Sequence, residues 1–485
     1  MASRVLVIGL DALDPGLVDR WLPELPNIRA LMERGLHGPL ESIVQPVTPA
    51  AWTAMTSGRD QGHFGFTDFT ARVAGNYDHR LVHSRLVRVP TLATLLPRHG
   101  MRAISVGVPI GYPPVASPGG ASVACFMAPT LERTITYPAE LQAEVVGATS
   151  SPYLLDVTVR EAEVESGRDD LVARLLELDR QRFDVAMHLL GTRPWDLAFL
   201  VCMGTDRAGH YFMRYTDPDH GRHDPDPRYS DVMRRQYAYC DRRIGELVAA
   251  VGPDCAVAVV SDHGIQGLRG RIALNDWLRE QGHLVLREPA DGPRPLEPAA
   301  VDWGRTRAWA HGYAGQVYLN LRGRDAAGLV DPDEAEPLLD EIAAGLAGLR
   351  DPAGATIPVR THRGRDLFTG EAAAACPDLL VQFDGCRYLT SDAVGQPRLV
   401  RPVTELGIDD ASHAMHGFFA LAGPGVPALG RFEAMHLLDV APTVLDLLGL
   451  PHDELTGEAL HRAAPVYSDE DVAELTSRLK SMYLQ

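Results

Sequence analysis

The stretch Ser261-Asp262-His263-Gly264 follows the apolar run Ala256 to Val260, where a buried strand has no use for an acid or an imidazole. In open α/β sheets ligands bind beyond the carboxyl ends of the strands, so Asp262 and His263 stand where a cation could be shared. Gly264 would let the chain turn sharply away from it. Taken alone, Asp262 could equally cap a turn while His263 packs or meets water. Three further strand ends carry the same chemistry. Asp11 closes the run Val5 to Leu10, and Asp206 follows Leu197 to Cys202 with His210 four residues on. His413 precedes the run Phe418 to Ala422. If Asp206 opens a helix, the i,i+4 spacing puts its carboxylate and the His210 imidazole on one face. Acid and imidazole groups in this number suit two nitrogen/oxygen metal sites.

A metal pair also calls for a nucleophile. The segment Pro46-Val47-Thr48-Pro49-Ala50-Ala51-Trp52 offers Thr48 directly before a helix with proline at its first position. Threonine there could simply be a helix cap. Beside a cation, however, a hydroxyl at a helix N-terminus has a lowered pKa and an anion-attracting backbone around it.

The elements that must hold these groups alternate. Val5 to Leu10, Ala103 to Val108, Leu197 to Cys202 and Ala256 to Val260 read as buried strands. Amphipathic helical spacing marks the stretch from Val232 to Val251. Strands alternating with helices predict an α/β fold whose mainly parallel central sheet is flanked by helices. A smaller α/β cap insertion is expected at 281–375, leaving a discontinuous metal-binding core of 1–280 and 376–470 and a C-terminal helix at 471–485.

Composition removes several function classes. A net charge of -18 argues against nucleic-acid polymers and acidic membranes, which are bound through basic surfaces. Lys480 is the only lysine, which removes Schiff-base and Walker-lysine chemistry from the core. The first apolar run meets Asp11 too early for a signal peptide, and no later run is long enough to span a bilayer. The six cysteines are dispersed with no CxxC pair, so reduced thiols and a cytoplasmic location are expected.

The ordered set of Asp11, Thr48, Asp206-x-x-x-His210, Asp262-His263 and His413 resembles the alkaline phosphatase superfamily, specifically its type I phosphodiesterase/nucleotide pyrophosphatase branch. The likeness runs from "VIGLDALDP" through "PVTPAAWTAMTSG", "MGTDRAGHYF" and "VVSDHG" to "DVAPTVLDLLGLP". It implies Asp11, Thr48, Asp262 and His263 around one divalent metal, and Asp206, His210 and His413 around the other. His413 is preferred to His416 because the family's ligand lies about four residues before the glycine of the following strand. Zinc suits the ligand mixture, with manganese as the alternative. The implied activity is metal-dependent hydrolysis of phosphodiester or pyrophosphate bonds in a small, nucleotide-like phosphate ester, through a phosphothreonine formed on Thr48.

One departure bears on the substrate. The family's asparagine, three residues after the nucleophile, is Ala51 here. Trp52 is a candidate for stacking on the substrate, or for packing. Arg207 is a candidate for the missing phosphate contact, or for pairing with an acid. Phosphomonoesterase, phosphonate hydrolase or phosphomutase activity on the same core, or a non-catalytic metal-binding module, stand as alternatives.

Overall fold

The structure, a computed structural model, describes residues 2–73, 75–157, 161–433 and 435–460; the helix expected at 471–485 lies outside the described residues. Strands β1 (Arg4–Leu10), β2 (Leu36–Glu41), β3 (Ala103–Val106), β4 (Ala121–Val123), β5 (Leu197–Cys202) and β6 (Cys255–Val260) come first in the chain. Next are β7 (Gly264–Gly267), β8 (Gly270–Ile272), β9 (Ala308–His311), β10 (Gln316–Leu319), β11 (Leu379–Phe383), β12 (Tyr388–Thr390) and β13 (Val400–Pro402). Strands β14 (Ala411–Ala414) and β15 (His416–Ala422) bring the chain back.

The larger sheet has ten strands, with the inner order β2-β15-β6-β1-β5-β3-β4. Strands β6, β1, β5, β3 and β4 run parallel, as the alternating sequence predicts. The late strand β15 joins antiparallel, between β6 and β2. Every residue of β5 and β6 is buried, because helices cover both faces and continuous Val, Leu, Ala and Phe need no polar side. The helices that matter for the site are α1 (Thr48–Ser57), α2 (Glu161–Thr192), α3 (Gly204–Thr216) and α4 (Val232–Val251). No helix among the described residues is long and apolar enough to cross a membrane.

A second sheet of seven strands follows the path β9-β10-β11-β12-β8-β13 over its own apolar core, which includes Trp277, Trp309, Leu319 and Ile342. Its strands reach from Gly270 to Pro402, on both sides of 281–375, because β8 pairs with both β12 and β13. Strand β7 leaves the larger sheet and pairs antiparallel with β14, setting Ile265 opposite His413. Gly264 is needed there for space: an added Cβ would come within 2.4 Å of the His416 carbonyl oxygen. His220 is buried, and its Nε2 bonds the Asp410 carbonyl at 2.9 Å.

Candidate metal and active site

Three neighbouring parallel strands end at one edge of the sheet, and their order decides what meets there. Strand β1 lies between β5 and β6, with Leu10 opposite Cys202 and Gly9 opposite Val260. The next residues out are therefore Asp11 in the middle, Asp262 and His263 on one side, and the start of α3 on the other. The Asp11 amide donates to the Cys202 carbonyl at 3.0 Å, which extends the ladder by one residue and fixes where the carboxylate begins.

Helix α3 opens directly after β5 and carries Asp206 in its first turn. Its first amide, on Gly204, donates to Asp179 Oδ1 of α2 at 2.9 Å, while Gln236 Nε2 of α4 donates to Asp179 Oδ2 at 2.6 Å. This buried carboxylate satisfies an otherwise orphaned helix-end amide and so anchors the helix. As the i,i+4 spacing predicts, Asp206 Oδ1 and His210 Nε2 lie 3.3 Å apart. His413 arrives from β14, its Nε2 3.3 Å from His210 Nε2 and 3.5 Å from Asp206 Oδ1. Its Nδ1 donates to the Pro46 carbonyl at 2.5 Å, which leaves Nε2 for the cluster. His416, two residues past β14, is exposed and opposite Glu41.

The second group is formed by Asp11, Asp262 and His263, all fully buried. His263 Nε2 lies 3.3 Å from Asp262 Oδ2 and 3.6 Å from Asp11 Oδ1, and its Nδ1 donates to the Gly264 carbonyl at 3.0 Å. Thr48 Oγ1 stands 3.3 Å from the same Nε2. The residue in the cap position of α1 is Val47, and no side chain caps that helix end, so the Thr48 hydroxyl does not serve as the cap.

These residues fit divalent cations. Asp11 Oδ1, Asp206 Oδ1 and both carboxylate oxygens of Asp262 are buried without a hydrogen bond. Leaving such groups unmade is costly in a protein interior. Burial, and then the Asp206 carboxylate, push Asp11 well above the usual carboxylate range. Asp262 moves the same way, through burial and then Asp11 and Asp206. Burial would raise Asp206 too, but His210, Arg207 and His413 hold it far below its ordinary value. Burial holds His263 and His413 below the usual imidazole range, so both offer a neutral nitrogen. Cations would resolve the clustered negative charge that the surrounding protein leaves unbalanced.

Two candidate substrate contacts are placed differently from the expectation. Trp52 cannot stack on a substrate, because its ring is fully buried edge-on to Phe199 with centroids 6.0 Å apart. Its indole N–H instead donates to Asp11 Oδ2 at 2.7 Å. Arg207 is engaged by carboxylates: Nη1 meets Asp206 Oδ2 at 2.6 Å, while Nε and Nη2 meet Asp156 at 3.1 and 3.0 Å. Sequence reading missed Asp409, whose Oδ1 is 2.7 Å from His210 Nδ1 and so orients that ring. An acid four residues before His413 was visible, and ligating histidines commonly use such a partner. His311 points to Thr70 Oγ1 at 2.9 Å and stacks on His79. Tyr313 stands edge-on to His413, ring centroids 6.5 Å apart, and lines a small apolar hollow with Pro46, Val47, Phe383 and Leu389.

A family model described as type I phosphodiesterase / nucleotide pyrophosphatase matches residues 5–418. Human ectonucleotide pyrophosphatase/phosphodiesterase 5 has the same fold, with a TM-score of 0.54 at 14% identity over 97% of this chain and 99% of that one. The murine protein, as an inactive threonine-to-alanine variant in complex with AMP, gives 0.53 at 14% identity over 98% and 99%. No curated protein sequence matches the chain. The chain belongs to the type I phosphodiesterase/nucleotide pyrophosphatase family, hydrolases of phosphoric ester and anhydride bonds.

Proposed function

We propose that this protein cleaves phosphodiester or pyrophosphate bonds in small nucleotide-like substrates, with Thr48 as nucleophile and a phosphothreonine intermediate. The observation that carries the reading is Thr48 itself. Its hydroxyl heads a ten-residue helix, is free of a capping role, and lies 3.3 Å from His263 in a cluster of unsatisfied carboxylates. Asp11, Asp262 and His263 with Thr48 would hold one divalent cation, and Asp206, His210 and His413 the other. Zinc is the first candidate, and manganese the alternative. Bound there, the cations supply charge neutralisation for the phosphoryl oxygens and the leaving oxygen.

Thr48 Oγ1 attacks phosphorus in line and forms the new O–P bond as the bond to the leaving group breaks. The threonine gives up its proton and the leaving oxygen ends protonated. Water then hydrolyses the phosphothreonine and restores the hydroxyl. The N-terminus of α1 favours an anion at this position. Arg207 is committed to Asp156 and Asp206, so it is not free to balance the second charge of a monoester. Diesters are therefore expected to outrun monoesters. With metal-loaded protein, bis(p-nitrophenyl) phosphate should show kcat/KM at least about tenfold above p-nitrophenyl phosphate, a difference of about 1.4 kcal/mol. Equal or reversed values would point to a phosphomonoesterase.

Two further results are expected from the same preparation. Elemental analysis of protein purified without chelator should find more than one equivalent of zinc or manganese per chain, and stripping it should abolish turnover reversibly. A metal-free protein with full activity would overturn the ligand assignment. Tyr313→Ala should raise KM for an aromatic diester about threefold to tenfold and leave kcat nearly unchanged, the scale of one lost aromatic contact. A fall in kcat alone would deny Tyr313 a binding role.

A further inference from the structure

We propose that Trp52 is a positioning residue for the metal centre: its indole N–H holds Asp11 Oδ2 and thereby presents Oδ1 alone as the metal-binding oxygen. This inference rests on the metal-site reading above. Asp11 is held at three points, and each constrains a different part of the residue. Its amide donates to the Cys202 carbonyl at 3.0 Å, its carbonyl accepts from Thr205 Oγ1 at 2.5 Å, and Oδ2 accepts from Trp52 Nε1 at 2.7 Å. The first two fix the backbone, but only the third fixes rotation of the carboxylate. Oδ1 is then left buried, without a hydrogen bond, 3.6 Å from His263 Nε2.

The surroundings of the indole suit this task. Gly9 on β1 lies under the ring, and a Cβ there would come within 2.5 Å of Trp52 Cη2, so the strand is cut away for the indole to reach Asp11. Phe199 on the neighbouring strand meets the ring edge-on, at an interplanar angle of 81°. Trp52 is also one turn from Thr48 on α1, so a single helix carries both the hydroxyl and the donor that sets Asp11. A buried phenylalanine would fill much of the same space, yet it could not donate. That difference separates positioning from packing.

The test titrates chelator-stripped protein with Zn2+ against a chromophoric chelator. Trp52→Phe should weaken binding of one of the two ions by about 10- to 100-fold, the usual cost of losing a partner that orients a ligand. Phe199→Leu, which loosens the packing of the ring but keeps the N–H, should lower the thermal midpoint of the metal-free protein and leave affinity within about threefold. Trp52→Phe binding both ions as tightly as wild type would overturn the proposal. Wild type binding no metal would instead overturn the site reading on which it rests. Should Trp52→Phe not fold, wild-type protein labelled with 15N-tryptophan decides the matter. Of its six tryptophans, one exchange-protected indole signal should move on Zn2+ addition, and six unmoved signals would refute the positioning role.

Discussion

Thr48→Ala is expected to lose turnover by roughly three orders of magnitude or more while keeping both metals and its fold. Removal of a covalent nucleophile leaves only the contributions of the cations and of binding. The structure separates this outcome from a stability effect. A threonine cap is worth about 1 kcal/mol, but Thr48 makes no capping bond, so that loss does not arise. The thermal midpoint of metal-free Thr48→Ala should accordingly stay close to wild type. Thr48→Ser restores an oxygen at the same place and should recover most of the activity. Acid quenching of the wild-type reaction should trap a phosphorylated peptide containing Thr48. Near-normal turnover by Thr48→Ala with both metals bound would replace the covalent route by direct attack of water.

The second large effect separates two histidines three residues apart. His413→Ala should lose one metal and reduce activity by roughly a thousandfold, because the neutral imidazole shared with Asp206 and His210 disappears. His416→Ala should keep both metals and near-normal activity, since that ring is exposed opposite Glu41 of β2. Metal content and kcat/KM measured on both variants check this directly. The opposite pattern would place the wrong histidine in the centre.

Periodic and local features were readable because chain geometry alone creates them. Asp206 and His210 meet since 3.6 residues per turn stacks positions four apart, and the helix needs only its own backbone to do so. The Val and Ala runs ending at Leu10, Cys202 and Val260 announced buried strands, and their carboxyl ends are where such sheets bind ligands. The direction of a side chain in a loop or on a late strand has no such local source. His413 faces the cluster because β14 pairs with β7 from far along the chain, with Ile265 opposite it, and side chains alternate between the faces of a strand. The second sheet takes strands from both sides of 281–375 for a similar reason: β8 and β13 are short runs whose membership is set by their partners.

The sequence by itself determined which chemical groups the centre would hold: three carboxylates, three imidazoles and a threonine hydroxyl, at the ends of strands or the start of a helix. Tertiary structure alone decided how four other side chains serve it. Trp52, a candidate for stacking on the substrate, turns inward to Asp11 because Gly9 opens the space for it. Arg207, a candidate phosphate contact, is claimed by Asp156 from 51 residues away. Asp409 reaches His210 across 199 residues, and Tyr313 is carried to His413 by a separate sheet. Ligand identity resides in the residue type, which a sequence states outright. Orientation depends on which distant donor or acceptor occupies the adjacent space, and only the packed chain supplies that.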